Sequence, residues 1–188
     1  MFQLLLIASL VPIAVTLALR WWHGLRVLAN EDGRACRCDL KRWLPAPGDE
    51  AVVHRADDTA GAFGRQLRLK ALDAWKSENP RAFRSRENAR RFGMAVPPLS
   101  GIIAVFAVLV AKIPVIGLVV LPLAATAVAA AFGVLALPAE LAAIARHARR
   151  VREERAFPDE DQEESVIRCA FAHAWDQALP PILRCLHK

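Results

Sequence analysis

The chain has 188 residues, 55% of them hydrophobic and 23% charged, with a formal net charge of +6. Soluble domains run nearer ~45–50% apolar, and the excess here sits in two blocks, 2–19 and 95–138, that hold one charge between them, Lys112. That split excludes one large globular core and points to a membrane protein with a modest soluble part.

Residues 2–19, FQLLLIASLVPIAVTLAL, carry no charge. As a helix they reach ~27 Å, just enough to cross the bilayer core. Arg20, Trp21, Trp22 and His23 follow; tryptophans suit the membrane interface, and Arg20 can snorkel. No Lys or Arg precedes residue 20, so the segment lacks the basic start of a cleaved signal peptide and reads as an uncleaved anchor over 1–20, which Pro12 is placed to kink.

Residues 20–93 hold 16 Lys/Arg against 10 Asp/Glu. Positive charge after the first span places the N-terminus outside and 21–93 in the cytoplasm. Within this basic segment, residues 30–56 read as a loop with a short strand at Ala51–His54. Asp57 or Asp58 is placed to cap a helix through about Lys76, with Phe63, Leu67, Ala71, Leu72 and Trp75 near helical spacing. NPRAFRSRENARRFG (79–93) predicts a second helix, with Asn79 as cap, Pro80 at the first position and Gly93 at the end. It delivers Arg84, Arg86, Arg90 and Arg91 to the membrane boundary.

Residues 94–138 predict a transmembrane helical hairpin, its arms at 95–111 and 113–137 and its outer tip at the charge and proline of Lys112-Ile113-Pro114. A re-entrant 95–137 is the alternative. Small residues in the third span, from Gly117 through Ala129–Ala131 to Gly133, permit close helix approach. After the membrane, 139–188 reads as cytoplasmic amphipathic helices. One continues from the third span with Leu141, Ile144, Ala148 and Val151 on one face and Arg146, Arg149 and Arg150 elsewhere, and a second covers about 160–178. The fold class is therefore an all-α integral membrane protein, three spans, N-terminus out and C-terminus in, of a kind expected in a bacterial inner membrane. Lipid-headgroup and topological roles fall to Arg84, Arg86, Arg90, Arg91, Arg146, Arg149 and Arg150.

Chemistry-bearing patterns are sparse. The histidines are His23, His54, His147, His173 and His187, with no HExxH and no pair four apart. Glu140 and His147 share a helix face, but two turns separate them by ~10.5 Å, far for one metal; the plain reading is polarity on a helix surface. Cys36 and Cys38 supply two thiols that His54, Cys169 or Cys185 would have to complete as a zinc site. The cytoplasmic placement of all four cysteines predicts free thiols. Cys169 lies four residues from His173, the one thiol–imidazole pairing at helical spacing. Neighbouring acids, Asp57-Asp58 and Glu163-Glu164, sit at helix starts. No phosphate-binding loop is present, and the basic run 81–91 lacks an aromatic stacking array, so no nucleic-acid partner is expected.

Residues 90–180 resemble the C-terminal half of the membrane-bound neutral zinc metallopeptidase family. The likeness is carried by VPPLSG (96–101), LPAELAA (137–143) and VIRCAFAHAW (166–175), arranged as a small-residue hairpin, a motif leaving the membrane and an alanine-rich helix. The family's activity rests on an HExxH helix before the hairpin; the matching Leu67–Asn88 contains neither histidine. The resemblance implies a zinc-ligand role for Glu140; with the histidines missing no metal site is expected, and zinc is a cofactor only if function survives. The expectation is a non-catalytic relative that works through membrane lipids, a homo-oligomer or a membrane-protein partner. A diverged hydrolase using Cys169/His173 or Cys36/Cys38, and a small structural subunit of a membrane complex, are the alternatives.

Overall fold

The computed structural model describes residues 2–43 and 56–185. It is 84% helical. The elements in order are α1 (Phe2–Arg20), a π-helical turn (Trp21–Leu25), α2 (Arg26–Glu31), β1 (Ala35–Arg37), α3 (Leu40–Trp43), β2 (Asp57–Thr59), α4 (Ala60–Glu78), α5 (Pro80–Leu109), α6 (Gly117–Glu154), α7 (Glu160–Ala178) and α8 (Pro181–Cys185). Three helical stretches are long and apolar enough to cross a membrane: Gln3–Glu31, Pro80–Leu109 and Gly117–Glu154. The all-α class therefore holds, with one two-stranded antiparallel ribbon added, β1 against β2, in the register Ala35↔Thr59, Cys36↔Asp58, Arg37↔Asp57. The strand expected at Ala51–His54 lies outside the described residues.

The chain forms two compact units. They do not follow the four linear segments. One gathers the described residues up to Trp21, Pro80–Pro138, and those from Trp175 onward; the other gathers those within Trp22–Asn79 and Ala139–Ala174. Helix α6 contributes its first half to one and its second half to the other.

In the first unit, α5 and α6 form the expected hairpin. The turn opens at Ala111, which takes a left-handed φ of 53°. Its N–H bonds the Val108 carbonyl at 2.9 Å, and the Lys112 N–H bonds that of Ala107 at 2.9 Å. This pair of bonds is the Schellman ending, built here on alanine rather than the usual glycine. Gly93 does not end a helix as its composition suggested. Helix α5 runs straight past it into the apolar half, and Gly93 is buried with the Pro180 ring 3.7–3.8 Å from where its Cβ would stand. Apolar residues beyond Gly93 keep the helix going, so the glycine is not a stop; a Cβ there would make only ordinary van der Waals contact.

The tail of α7 and the short α8 belong to this unit. Leu179 and Leu183 are buried with Ile13 of α1 and Ala127 and Ala130 of α6. At Gly133 a Cβ would lie 2.1 Å from the Ala178 carbonyl oxygen, so only glycine allows the approach. Arg20 is buried at the end of α1 and donates through Nε (2.9 Å) and Nη2 (2.7 Å) to Oδ1 of Asp176. The cytoplasmic reading of all of 139–188 thus meets a tail, Trp175–Cys185, packed on the apolar helices.

The second unit is built on α4. Its cap is Thr59, not Asp57 or Asp58: Thr59 is extended (φ −81°, ψ 155°) and its Oγ1 accepts from the Ala62 N–H at 3.2 Å. The two aspartates are drawn instead into β2, where Asp57 pairs with Arg37 across the ribbon at 3.6 Å. Phe63, Leu67, Ala71 and Trp75 are buried as their spacing predicted, and Phe63 forms an edge-to-face triad with Trp43 and Phe157, ring centroids 5.3–5.6 Å apart. Each such contact adds ~0.5–1.5 kcal/mol beyond area burial. Gly64 lets α7 close in: a Cβ there would stand 2.7 Å from Cys169 Cβ and 2.8 Å from the Ala170 nitrogen.

Candidate functional site

The second unit's most pronounced polar feature is a buried ion pair between α4 and the second half of α6. Arg68 follows Leu67 on the inward face of α4, and Glu140 follows Pro138 by two residues on α6. Arg68 donates to Glu140 Oε1 through Nε at 2.7 Å and approaches it through Nη2 at 2.6 Å. Their side chains are 4% and 5% exposed. Glu140 is therefore buried against α4 and does not lie on a helix surface. Its spacing along α6 could not show this, because the partner comes from 72 residues away.

Further along the same two helices, Glu78 meets Arg146 at 3.6 Å and Arg150 at 3.7 Å. Pairing 68 with 140 and 78 with 146 and 150 means that α4 and this part of α6 run in the same direction. Arg146 and Arg150 thus meet Glu78, while Arg68 meets Glu140. These outer pairs are exposed and contribute ~0–1 kcal/mol each, whereas the inner pair is costly to break from either side.

His147 lines the crevice between the helices with Ala71, Trp75, Glu78, Ala143 and Arg150. Burial, then Lys70 and Arg150, hold its pKa below the ordinary histidine value, against the pull of Glu78. It does not join Glu140 in a metal set. Among the described residues no three His, Cys, Asp or Glu side chains come together as a metal site requires; His54 and His187 lie outside those residues.

The thiols are separate from this pair. Cys36, Cys38 and Cys169 are buried and free. Burial pushes Cys38 and Cys169 up to about 12 and raises Cys36 as well. A thiol so raised is almost wholly protonated at neutral pH and is a poor nucleophile or ligand. His173, four residues on, directs Nε2 to the Gly61 carbonyl at 3.2 Å, with Asp32 Oδ1 at 3.8 Å. Burial leads in lowering its pKa. The helical spacing that suggested a Cys–His pairing has placed both side chains in the α4–α7 packing.

The acidic start of α7 is engaged structurally. Glu163 and Glu164 receive Arg152 Nε at 3.0 Å and Nη2 at 2.7 Å, and Glu164 also receives Arg168 Nε at 3.1 Å. Of the arginines given lipid or topological roles, Arg84, Arg86, Arg90 and Arg91 fall on α5, with Arg91 contacting Glu87 at 3.4 Å. Arg149 is exposed on α6.

These features define an α-helical protein with three helices suited to crossing a membrane and a buried arginine–glutamate pair in its other unit. Comparison with family models, with curated proteins and with solved structures finds no match.

Proposed function

We propose that this chain is a non-catalytic, three-span membrane protein, N-terminus outside and C-terminus in the cytoplasm, whose buried arginine neutralises the glutamate that a zinc ion would hold in the metallopeptidases it resembles. The observation that carries this reading is the Arg68–Glu140 pair at 2.6 Å, with both side chains 4–5% exposed. A carboxylate taken out of water needs a compensating cation. A guanidinium supplies the charge, but it cannot activate a water as a Lewis-acidic metal does. With its hydrolytic chemistry gone, such a protein acts by contact: with lipids, with a second copy, or with another membrane protein.

The topology is supported by the charges that flank the apolar helices, 16 Lys/Arg in residues 20–93 and the arginines after 145, against the single Lys112 at the hairpin turn. The tail Trp175–Cys185 then sits on the inner side of the bilayer, Leu179 and Leu183 against Ile13, Ala127 and Ala130.

The decisive experiment is metal content together with orientation. Purified full-length protein is expected to carry far less than one zinc per chain and to keep its melting temperature in EDTA. Stoichiometric zinc, with peptidase activity lost in Glu140→Ala, would overturn the proposal. Cys36 is unsuitable as an orientation reporter, since it is 3% exposed. A cysteine at exposed Lys112 should react with an impermeant maleimide in intact cells and one at exposed Asp57 only after lysis; the reverse pattern inverts the topology.

A further inference from the structure

The arginines of α5 are not equivalent. The helix is unbroken over Pro80–Leu109. Nothing in residues 80–92 is buried, and Gly93 is the first buried position. At the same level Phe92 meets Phe132 of α6 edge to face, centroids 5.6 Å apart, and Gly93 lies against Pro180 and Ala129. Polar helix gives way to apolar helix at this point. Residues 80–92 contain five arginines and one acid, Glu87, so this stretch is strongly cationic.

Distance along the helix sorts those arginines. At ~1.5 Å per residue, Arg90 and Arg91 stand ~3–5 Å beyond Gly93, while Arg84 and Arg81 stand ~13 and ~18 Å beyond it. The headgroup layer is only ~5–7 Å deep on each side. Arg84 and Arg81 therefore lie ~6–8 and ~11–13 Å past the headgroups, about one Debye length of ~8 Å or more, where the surface potential has largely decayed. Arg90 and Arg91 fall within the layer. They are adjacent in sequence and ~100° apart around the helix, so they face different neighbours.

We infer that Arg90 and Arg91 form a collar that binds the phosphates of anionic phospholipids at the cytoplasmic end of α5, and that Arg81 and Arg84 take no part in it. Charge complementarity selects an anionic headgroup, and the aromatic–glycine boundary sets the depth. The inference rests on the membrane-spanning reading above and adds the lipid class and the residues that select it.

The test is lipid retention by the full-length protein in detergent, measured by native mass spectrometry with phosphatidylglycerol against phosphatidylcholine. The wild type is expected to prefer phosphatidylglycerol. Arg90→Gln with Arg91→Gln should reduce that preference about thirtyfold, the effect of two headgroup-level cations. Arg81→Gln with Arg84→Gln should change it less than threefold, and Arg90→Lys with Arg91→Lys should retain it, which separates lost charge from a lost fold. No preference in the wild type, or equal losses in the inner and outer pairs, overturns the inference; equal losses would mean that α5 lies along the surface. Inorganic phosphate at 10 mM, roughly the level of a phosphate buffer, should not displace the lipid, and displacement would reassign the collar to free phosphate. The maleimide pattern at positions 112 and 57 reads the spanning topology independently, so failure of the collar and failure of the topology are distinguishable.

Discussion

Arg68 and Glu140 show how a single pair of side chains redirects a functional reading. Alone on α6, Glu140 is a carboxylate two residues after a proline, and the residues around it offer three arginines within ten positions. The carboxylate points instead to a guanidinium on another helix. Removing one partner leaves a buried, uncompensated charge, so Arg68→Ala is expected to destabilise the protein by about 3–5 kcal/mol. Replacing both, as Arg68→Met with Glu140→Leu, is expected to recover most of that loss, because two apolar side chains then fill the space without a desolvated charge. Urea unfolding of the three variants, as a double-mutant cycle, measures the coupling; additive losses would show that the pair is not a unit.

Among the helices, the same residue type can do opposite work. Gly64 and Gly133 are placed for close approach, and their neighbours are backbone atoms of α7 that cannot yield. Gly64→Ala should therefore force α4 and α7 apart at a cost of about 1–3 kcal/mol. At the end of α6 the opposite holds. Arg155 takes a left-handed φ of 51°, and Arg155 and Ala156 donate back to Arg152 and Val151 in a Schellman ending. Relief of that strain, less the greater freedom of glycine when unfolded, should make Arg155→Gly more stable by about 0.5–1 kcal/mol. Thermal midpoints of the two variants should move in opposite directions, and a shared direction would refute the argument. Helix existence and type were legible because apolar spacing and proline placement are local signals: α7 runs from Glu160 to Ala178 and α5 starts at Pro80, as read. Gly93 does not stop α5 because a glycine ends a helix only where the chain beyond it turns away, and here the apolar residues that follow continue the helix.

For the molecule as a whole, buried titratable groups of both kinds bound the pH range of stability. His147 and His173 have folded pKa values below the ordinary 6.5. The unfolded chain then binds protons that the folded chain refuses, so stability is full above pH 6.5 and falls as the pH drops below it. Cys36, Cys38 and Cys169 are raised above the ordinary 9.0, two of them to about 12. Their contribution is full below pH 9 and is lost as the pH rises from there towards 12. The expected profile of unfolding free energy is a plateau between these limits, with the acid limb flattened in a His147→Gln, His173→Gln variant. An unchanged acid limb in that variant would assign it to other groups.

The three apolar stretches, the helical class, the turn at Lys112 and the missing HExxH follow from the order of residues alone, because periodicity, proline, and charge counts are written along the chain. The partner of Glu140, the cap on α4, the inert setting of the thiols and the return of Trp175–Cys185 to the apolar helices were decided only in three dimensions. Each depends on a contact between positions far apart in sequence: Arg68 with Glu140, Cys36 and Arg37 with Asp58 and Asp57 in the ribbon that leaves the cap to Thr59, Gly64 with Cys169, Arg20 with Asp176. Local propensity carries no record of such contacts. They are set when packing selects which of several compatible side chains a buried polar or small group will meet.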